Sequence, residues 1–170
     1  SCRTVFPSAR HDRFIHSLGV YHIGTLIAKH IKEECEIPEF EYSILKTYRL
    51  ACLLHDVGHT PFSHTFEEYF DEKDIREALA NRLNDEAFKS DLQARHQKLT
   101  EHELLSAYVA VCVYKDALLD QEINWTLLVR MIIGLPYIDA NDQRDNSRFE
   151  NVMIDLIHGT IDADGLDYVD

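Results

Sequence analysis

The stretch ILKTYRLACLLHDVGHTPFSH, Ile44 to His64, begins as an ordinary helix and ends in a concentration of histidines. Ile44, Leu45, Tyr48, Ala51, Cys52 and His55 recur at three- and four-residue steps, so they share one helical face. Gly58 and Pro61 then stop the helix. His55 extends the apolar face, and Asp56 follows it at the helix C-terminus, electrostatically poor ground for an anion. The carboxylate therefore needs a compensating cation, and a metal ion is the most economical candidate. Neutral imidazole and carboxylate donors suit Zn, Fe, Mn, Co or Ni.

The same helical period runs through the rest of the chain. From His16 to Glu34, Val20, Ile23, Ile27 and Ile31 form an apolar stripe opposite His22, Thr25, Lys29 and Lys32. Thr100 to Lys115 opens on TEHE, in which Thr100 and Glu103 make a capping box, and continues with Leu104, Leu105, Tyr108 and Cys112. Further apolar helices are expected over Trp125–Leu135 and Val152–Ile161. The run YVAVCVY (Tyr108–Tyr114) is β-rich, but the capping box upstream argues for helix. No segment alternates with period two for long enough to make a strand. An all-α domain is expected. The charged stretch 71–97 and the polar stretch Ile138–Arg148 read as surface helix, loop or partly mobile insertion; 71–97, with little sustained apolar periodicity, is expected to be a surface insertion or lid outside the catalytic core.

The 170 residues suit one domain with a sizeable core, being 45% hydrophobic and 28% charged. No apolar run approaches the roughly 18 residues that a membrane span needs, and the opening SCRTVFPSARHDRF lacks an h-region, so neither a membrane anchor nor a secretion signal is expected. The four cysteines are scattered without a C-x-x-C pair, and Cys52 and Cys112 lie in apolar segments as reduced thiols do. An intracellular location, cytoplasmic or nuclear, is expected. With 30 acids against 17 bases the net charge is −13, which repels nucleic acid and anionic membranes. A phosphate-bearing substrate would need a cation in its site.

Two further stretches frame the His55–Asp56 pair. RFIHSLGV (Arg13–Val20) places His16 at the start of the first long helix, and IDADGLDYV (Ile161–Val169) places Asp164 after the last one. The order H…HD…D resembles that of the HD-domain metal-dependent phosphohydrolases. The blocks VFPSARHDRFIHSLGVYHIG, ACLLHDVGHTPFSHTFE and DADGLDY are similar to those of the deoxynucleoside triphosphate triphosphohydrolase branch, which carries VFPGA…RFEHSLGV, LLHDxGHGPFSH and DxDxxDY. The resemblance runs from Val5 to Tyr168. It implies a single HD-domain helical bundle over residues 1–170 with a metal site in its core, the N-terminal portion of a larger catalytic region.

The resemblance assigns roles residue by residue. His16, His55, Asp56 and Asp164 would be the metal ligands, the ion remaining open among Fe, Mn, Zn, Mg, Co and Ni. Two imidazoles and two carboxylates neutralise a divalent charge and leave positions for water and a phosphate oxygen. Arg13, His59 and His64 would contact the phosphates, and Tyr168 the sugar. His102, in the first turn of its helix, would be the proton donor, held in one tautomer by Glu67, which stands where members usually have aspartate. The plain alternative for Arg13 is an ion pair with one of the thirty acids. Gly165 occupies a place where members commonly carry Lys or Arg.

The implied activity is hydrolysis of a deoxynucleoside triphosphate to deoxynucleoside and triphosphate, by a homo-oligomer. Within the same superfamily the alternatives are a nucleoside monophosphate phosphatase and a cyclic-nucleotide phosphodiesterase; outside it, a catalytically silent binding or scaffold module. HDVGH (His55–His59) as a variant zincin H-E-x-x-H fails, because Gly58 and Pro61 break the helix that motif requires and Asp56 is a methylene short.

Overall fold

A computed structural model describes residues 13–35, 37–58, 71–94, 99–118, 122–138 and 147–158. The chain runs through α1 (Arg13–Glu34), a 3-10 turn (Glu39–Glu41), α2 (Tyr42–Leu54), α3 (Glu72–Leu83), α4 (Glu86–Ala94) and α5 (Glu101–Val109). A π-helical turn (Ala110–Tyr114) carries α5 into α6 (Lys115–Leu118), and α7 (Trp125–Ile132) and α8 (Ser147–His158) follow. The fold is all-α, with no strand among the described residues. The β-rich run Tyr108–Tyr114 is helical, as its upstream cap implies: the Thr100 N–H donates to the Glu103 carboxylate at 3.1 Å.

α1 and α2 form an antiparallel pair. His16 meets His55, Gly24 meets Cys52, and Lys32 meets Tyr42. α2 also packs on α7 and α8, so it is the central element. Its buried face is the one its spacing foretells, Ile44, Leu45, Tyr48, Ala51 and Cys52, joined by Thr47 and Leu54. α1 differs from expectation. Its buried line is His16, Val20, Gly24 and Ala28, while Ile23, Ile27 and Ile31 pack half-buried beside it. The reason is close approach: a Cβ at Gly24 would lie 2.6 Å from the Cys52 Sγ. Small residues let the helix axes converge, which tilts the isoleucines to the flank.

Gly24→Ala tests this seam. Alanine gains about 1 kcal/mol of helix propensity, but overpacking a rigid core site costs about 1–3 kcal/mol. Net destabilisation is expected in urea unfolding, and Gly24→Ala with Cys52→Ala should recover most of it. Burial also pushes the Cys52 thiol up to about 12, so it stays protonated and behaves as a small apolar group. No disulfide joins the described cysteines Cys35, Cys52 and Cys112.

Over 71–94 the charged segment folds as α3 and α4. Asp71 caps the first by accepting the Lys73 N–H at 2.8 Å, and Asp85 accepts the Phe88 N–H at 3.0 Å at the second. Asn84 turns the chain between them in the left-handed region, φ 53°. Ile75, Leu79, Phe88 and Leu92 are buried in the common core, and α3 lies against α5.

α4 is tied to α7 by a wholly buried arginine. Arg130 is 0% exposed and its Nη2 donates to the Asp91 carboxylate at 2.7 Å. Its Nη1 reaches the Leu135 and Pro136 carbonyls at 3.5 and 3.3 Å, and the guanidinium lies 3.9 Å from the Tyr137 ring centroid. α8 begins at Ser147, five residues before the expected start. It is anchored at its end by His158, whose Nε2 donates to the Met131 carbonyl at 2.7 Å. None of the described helices is long and apolar enough to cross a membrane.

Candidate metal centre and active site

Residues 39 apart in sequence meet because α1 and α2 run antiparallel. His16 lies in the first turn of α1 and is 7% exposed; His55 is the C-cap of α2. Their rings stand edge to face, centroids 5.6 Å apart and planes at 74°. The His55 Nδ1 lies 2.9 Å from the Cys52 carbonyl oxygen. A carbonyl only accepts, so Nδ1 carries the proton and the imidazole lone pair sits on Nε2. That is the arrangement by which a backbone carbonyl orients a metal-binding histidine.

Asp56, next in the turn, faces the Arg13 guanidinium at 3.7 Å. The cation beside this helix-end carboxylate is thus a side chain from the first turn of α1. Arg13 is half exposed, so the pair is screened and contributes little stability. Its structural meaning is placement: an arginine stands at the rim of the His16–His55 contact.

Gly58 fixes the turn that carries His55 and Asp56. Its N–H donates to the Ser106 Oγ at 2.9 Å, and a Cβ there would fall 2.2 Å from the Ser106 backbone nitrogen. The sequence reading of Gly58 as a helix stop is therefore incomplete. The residue is glycine because α5 touches its backbone. The contact aligns α5 with the centre. His102 lies four residues before Ser106, on the same helix face, and its Nε2 is 3.3 Å from the Thr100 Oγ.

Two residues were missed from sequence. Ser106 looks like a chance polar residue in the apolar run LLSAYV, with no sequence signal for its role. Glu101, beside His102, has one buried carboxylate oxygen without a hydrogen-bond partner. The helix N-terminus there favours negative charge.

The structure thus brings together His16, His55, Asp56 and Arg13, and packs the helix of His102 against their turn. His59, His64, Glu67, Asp164 and Tyr168 lie outside the described residues. Among the described residues no group of three or more His, Cys, Asp or Glu side chains is arranged to hold a metal ion. Three of the four expected ligands are described, and their donor chemistry fits a divalent ion: two imidazoles and the carboxylate that follows one of them.

An all-helical bundle in which a His–Asp pair at a helix end meets a histidine from an antiparallel neighbour defines the HD class of helical domains. The HD domain family model matches residues 13–130, well over half the chain. The chain belongs to the HD domain family, a family of phosphohydrolases. Over 71 residues it is 48% identical to a deoxynucleoside triphosphate triphosphohydrolase SAMHD1 homolog of Dictyostelium discoideum, a match covering 40% of this chain and 13% of that protein. It is 46% identical over 67 residues to deoxynucleoside triphosphate triphosphohydrolase SAMHD1 of Bos taurus, covering 39% and 11%. An uncharacterized protein of Mycoplasma pneumoniae is 29% identical over 164 residues, 96% of this chain and 32% of that protein. No solved structure matches.

Proposed function

We propose that this domain is a metal-dependent nucleotide phosphohydrolase that cleaves deoxynucleoside triphosphates to deoxynucleoside and triphosphate. The observation that carries the reading is the convergence of His16 and His55 beside Asp56 and Arg13, with the His55 tautomer set by the Cys52 carbonyl. The activity for which the Dictyostelium and bovine relatives are named supports the substrate class. His16, His55, Asp56 and Asp164 would hold a divalent ion, of the set Fe, Mn, Zn, Mg, Co or Ni. When bound, such an ion supplies positive charge and Lewis-acid polarisation at the phosphate.

The chain's own side chains do the rest. Arg13 has the planar fork that matches phosphate oxygens, and it stands within reach of the centre. His59 and His64 add donors for the phosphate chain, and Tyr168 lies against the sugar. His102 gives its proton to the departing 5′ oxygen, with Glu67 orienting the ring. Gly58 and Ser106 hold α5 in register for that transfer. The active form is a homo-oligomer within the cell.

The test combines metal analysis with a product assay on a panel of deoxynucleoside triphosphates, nucleoside monophosphates and cyclic nucleotides. One divalent ion per chain is expected, with triphosphate as product. Asp56→Ala should abolish metal retention while leaving the helical circular dichroism largely intact, because the site is local. Chelation should lower the melting temperature of the wild type, since a ligand bound only by the native state stabilises it, and should not lower that of the variant. Metal retained by Asp56→Ala, or hydrolysis of only monophosphates or cyclic nucleotides, would overturn the proposal. Light scattering tests the assembly.

A further inference from the structure

The end of the α1–α2 pair remote from His16 and His55 encloses a second recess. α1, α2 and residues 122–124 line a cleft of about 960 Å³. Four cations face it, Lys29 and Lys32 from α1 and Lys46 and Arg49 from α2, against two carboxylates, Glu39 and Glu122. In a chain carrying 30 acids and 17 bases, a cleft with cations in excess runs against the charge of the whole molecule.

The pairing of these cations matters more than their number. Arg49 is half-buried and held by neutral oxygens. Its Nε donates to the Thr25 Oγ at 3.1 Å and its Nη2 to the Tyr21 hydroxyl at 2.7 Å. Lys32 lies 4.1 Å over the Tyr42 ring. Among the described residues no carboxylate lies within ion-pair distance of either. Lys29 has only an exposed partner, Glu33, at 3.8 Å, whereas Lys46 is closely paired with Glu122 at 2.7 Å. The hydroxyls fix the direction of the guanidinium without cancelling its charge. A positive potential therefore persists in a recess with low-dielectric walls, the arrangement that concentrates anions.

A ligand must match both the charge and the size. A single small anion would answer one of the cations and leave most of the cleft to water. A chain of phosphates spans several lysines as point charges and offers the arginine a bidentate edge. The volume lies within the usual range for small-molecule sites. The wall is preformed as well, because the Asn124 N–H is tied to the Thr47 Oγ of α2 at 3.2 Å.

We propose that this cleft binds a small polyphosphate anion, inorganic or carried by a nucleoside, at a site separate from the His16–His55 centre. Thirteen residues of α1 separate His16 from Lys29, roughly 20 Å at 1.5 Å per residue.

The experiment is titration calorimetry of the whole chain with inorganic triphosphate and, in parallel, with ATP. It is done in EDTA so that no metal contributes. Stoichiometric binding that weakens steeply with salt is expected. Lys29→Gln with Lys32→Gln should weaken it by about tenfold or more, and both side chains are exposed, so this variant keeps its fold. Arg49→Gln should weaken binding comparably, and His55→Ala should leave it unchanged. Equal affinity for the two probes would assign recognition to the phosphate chain alone, and tighter ATP binding would add the nucleoside; both support the site. Absence of binding at millimolar triphosphate would overturn it. So would binding lost in His55→Ala but kept in the lysine variant.

Discussion

His102→Ala is expected to lower kcat by roughly 10²–10⁴-fold, the usual worth of a positioned general acid, while metal content stays unchanged. The fold should survive it, because the α5 cap is made by Thr100 and Glu103 rather than by His102. Glu67→Gln should cost less, since the imidazole remains and loses only its orienting partner. A substrate with a much better leaving group than a nucleoside 5′ oxygen should recover most of the loss, because it needs no proton on departure. Equal losses with good and poor leaving groups would show instead that His102 binds phosphate. A change of less than a few-fold with every leaving group would reduce it to a residue at a helix start.

Asp91→Ala is expected to destabilise the domain by about 3–5 kcal/mol, the cost of leaving a buried charge unpaired. Arg130 has no exposed surface, and its Nε already lacks a hydrogen-bond partner. Without Asp91 the guanidinium would keep two long carbonyl bonds and the faces of the Tyr137 and Phe88 rings. For a domain of this size the melting temperature should fall by roughly 6–20 °C. The stronger test is the double substitution Asp91→Leu with Arg130→Met. Replacing both partners of a buried pair by apolar groups of similar volume is often neutral, so this protein should be far more stable than Asp91→Ala alone. If the two single losses simply add in the double variant, the ion pair is not what joins α4 to α7. Urea unfolding of the wild type, Asp91→Leu, Arg130→Met and the double variant closes the cycle.

The helical class was legible because it rests on local rules, whereas the His16–His55 meeting followed only from the resemblance of the H…HD…D order, since no spacing within either helix implies a contact 39 residues apart. The face of α2 follows from its three- and four-residue steps, and Thr100 with Glu103 is a start signal read within four residues. The buried face of α1 was misplaced by one position, because glycine and alanine carry no hydrophobic signal and their burial is visible only once Cys52 is packed against them. Over 71–97 surface helix was one of several readings, and the burial of α3 and α4 was hidden for another reason. α3 buries Ile75, Leu79 and Ala80 and α4 Phe88 and Leu92 among many charges, too short a pattern to stand out over twelve and nine residues. Their caps, Asp71 and Asp85, were present in the sequence and unused. The link between Asp91 and Arg130, and that between Gly58 and Ser106, are long-range, and spacing within a helix says nothing of them.

The π-helical turn at Ala110–Tyr114 records how this helix tolerates changes in length. A π turn accommodates one residue more than the α-helical ladder takes, and it confines the misfit to a single turn. Everything on either side, from the Ser106 contact to the start of α6, keeps its orientation. Loss of one residue within 110–114 would let the ladder close as regular α-helix without rotating the flanking faces. The same loss in α2 would swing His55 about a third of a turn away from His16, since each residue advances the helix by that order of angle. Chains of this fold should accordingly differ in length by one residue at this turn, and not within the helices that carry the two histidines.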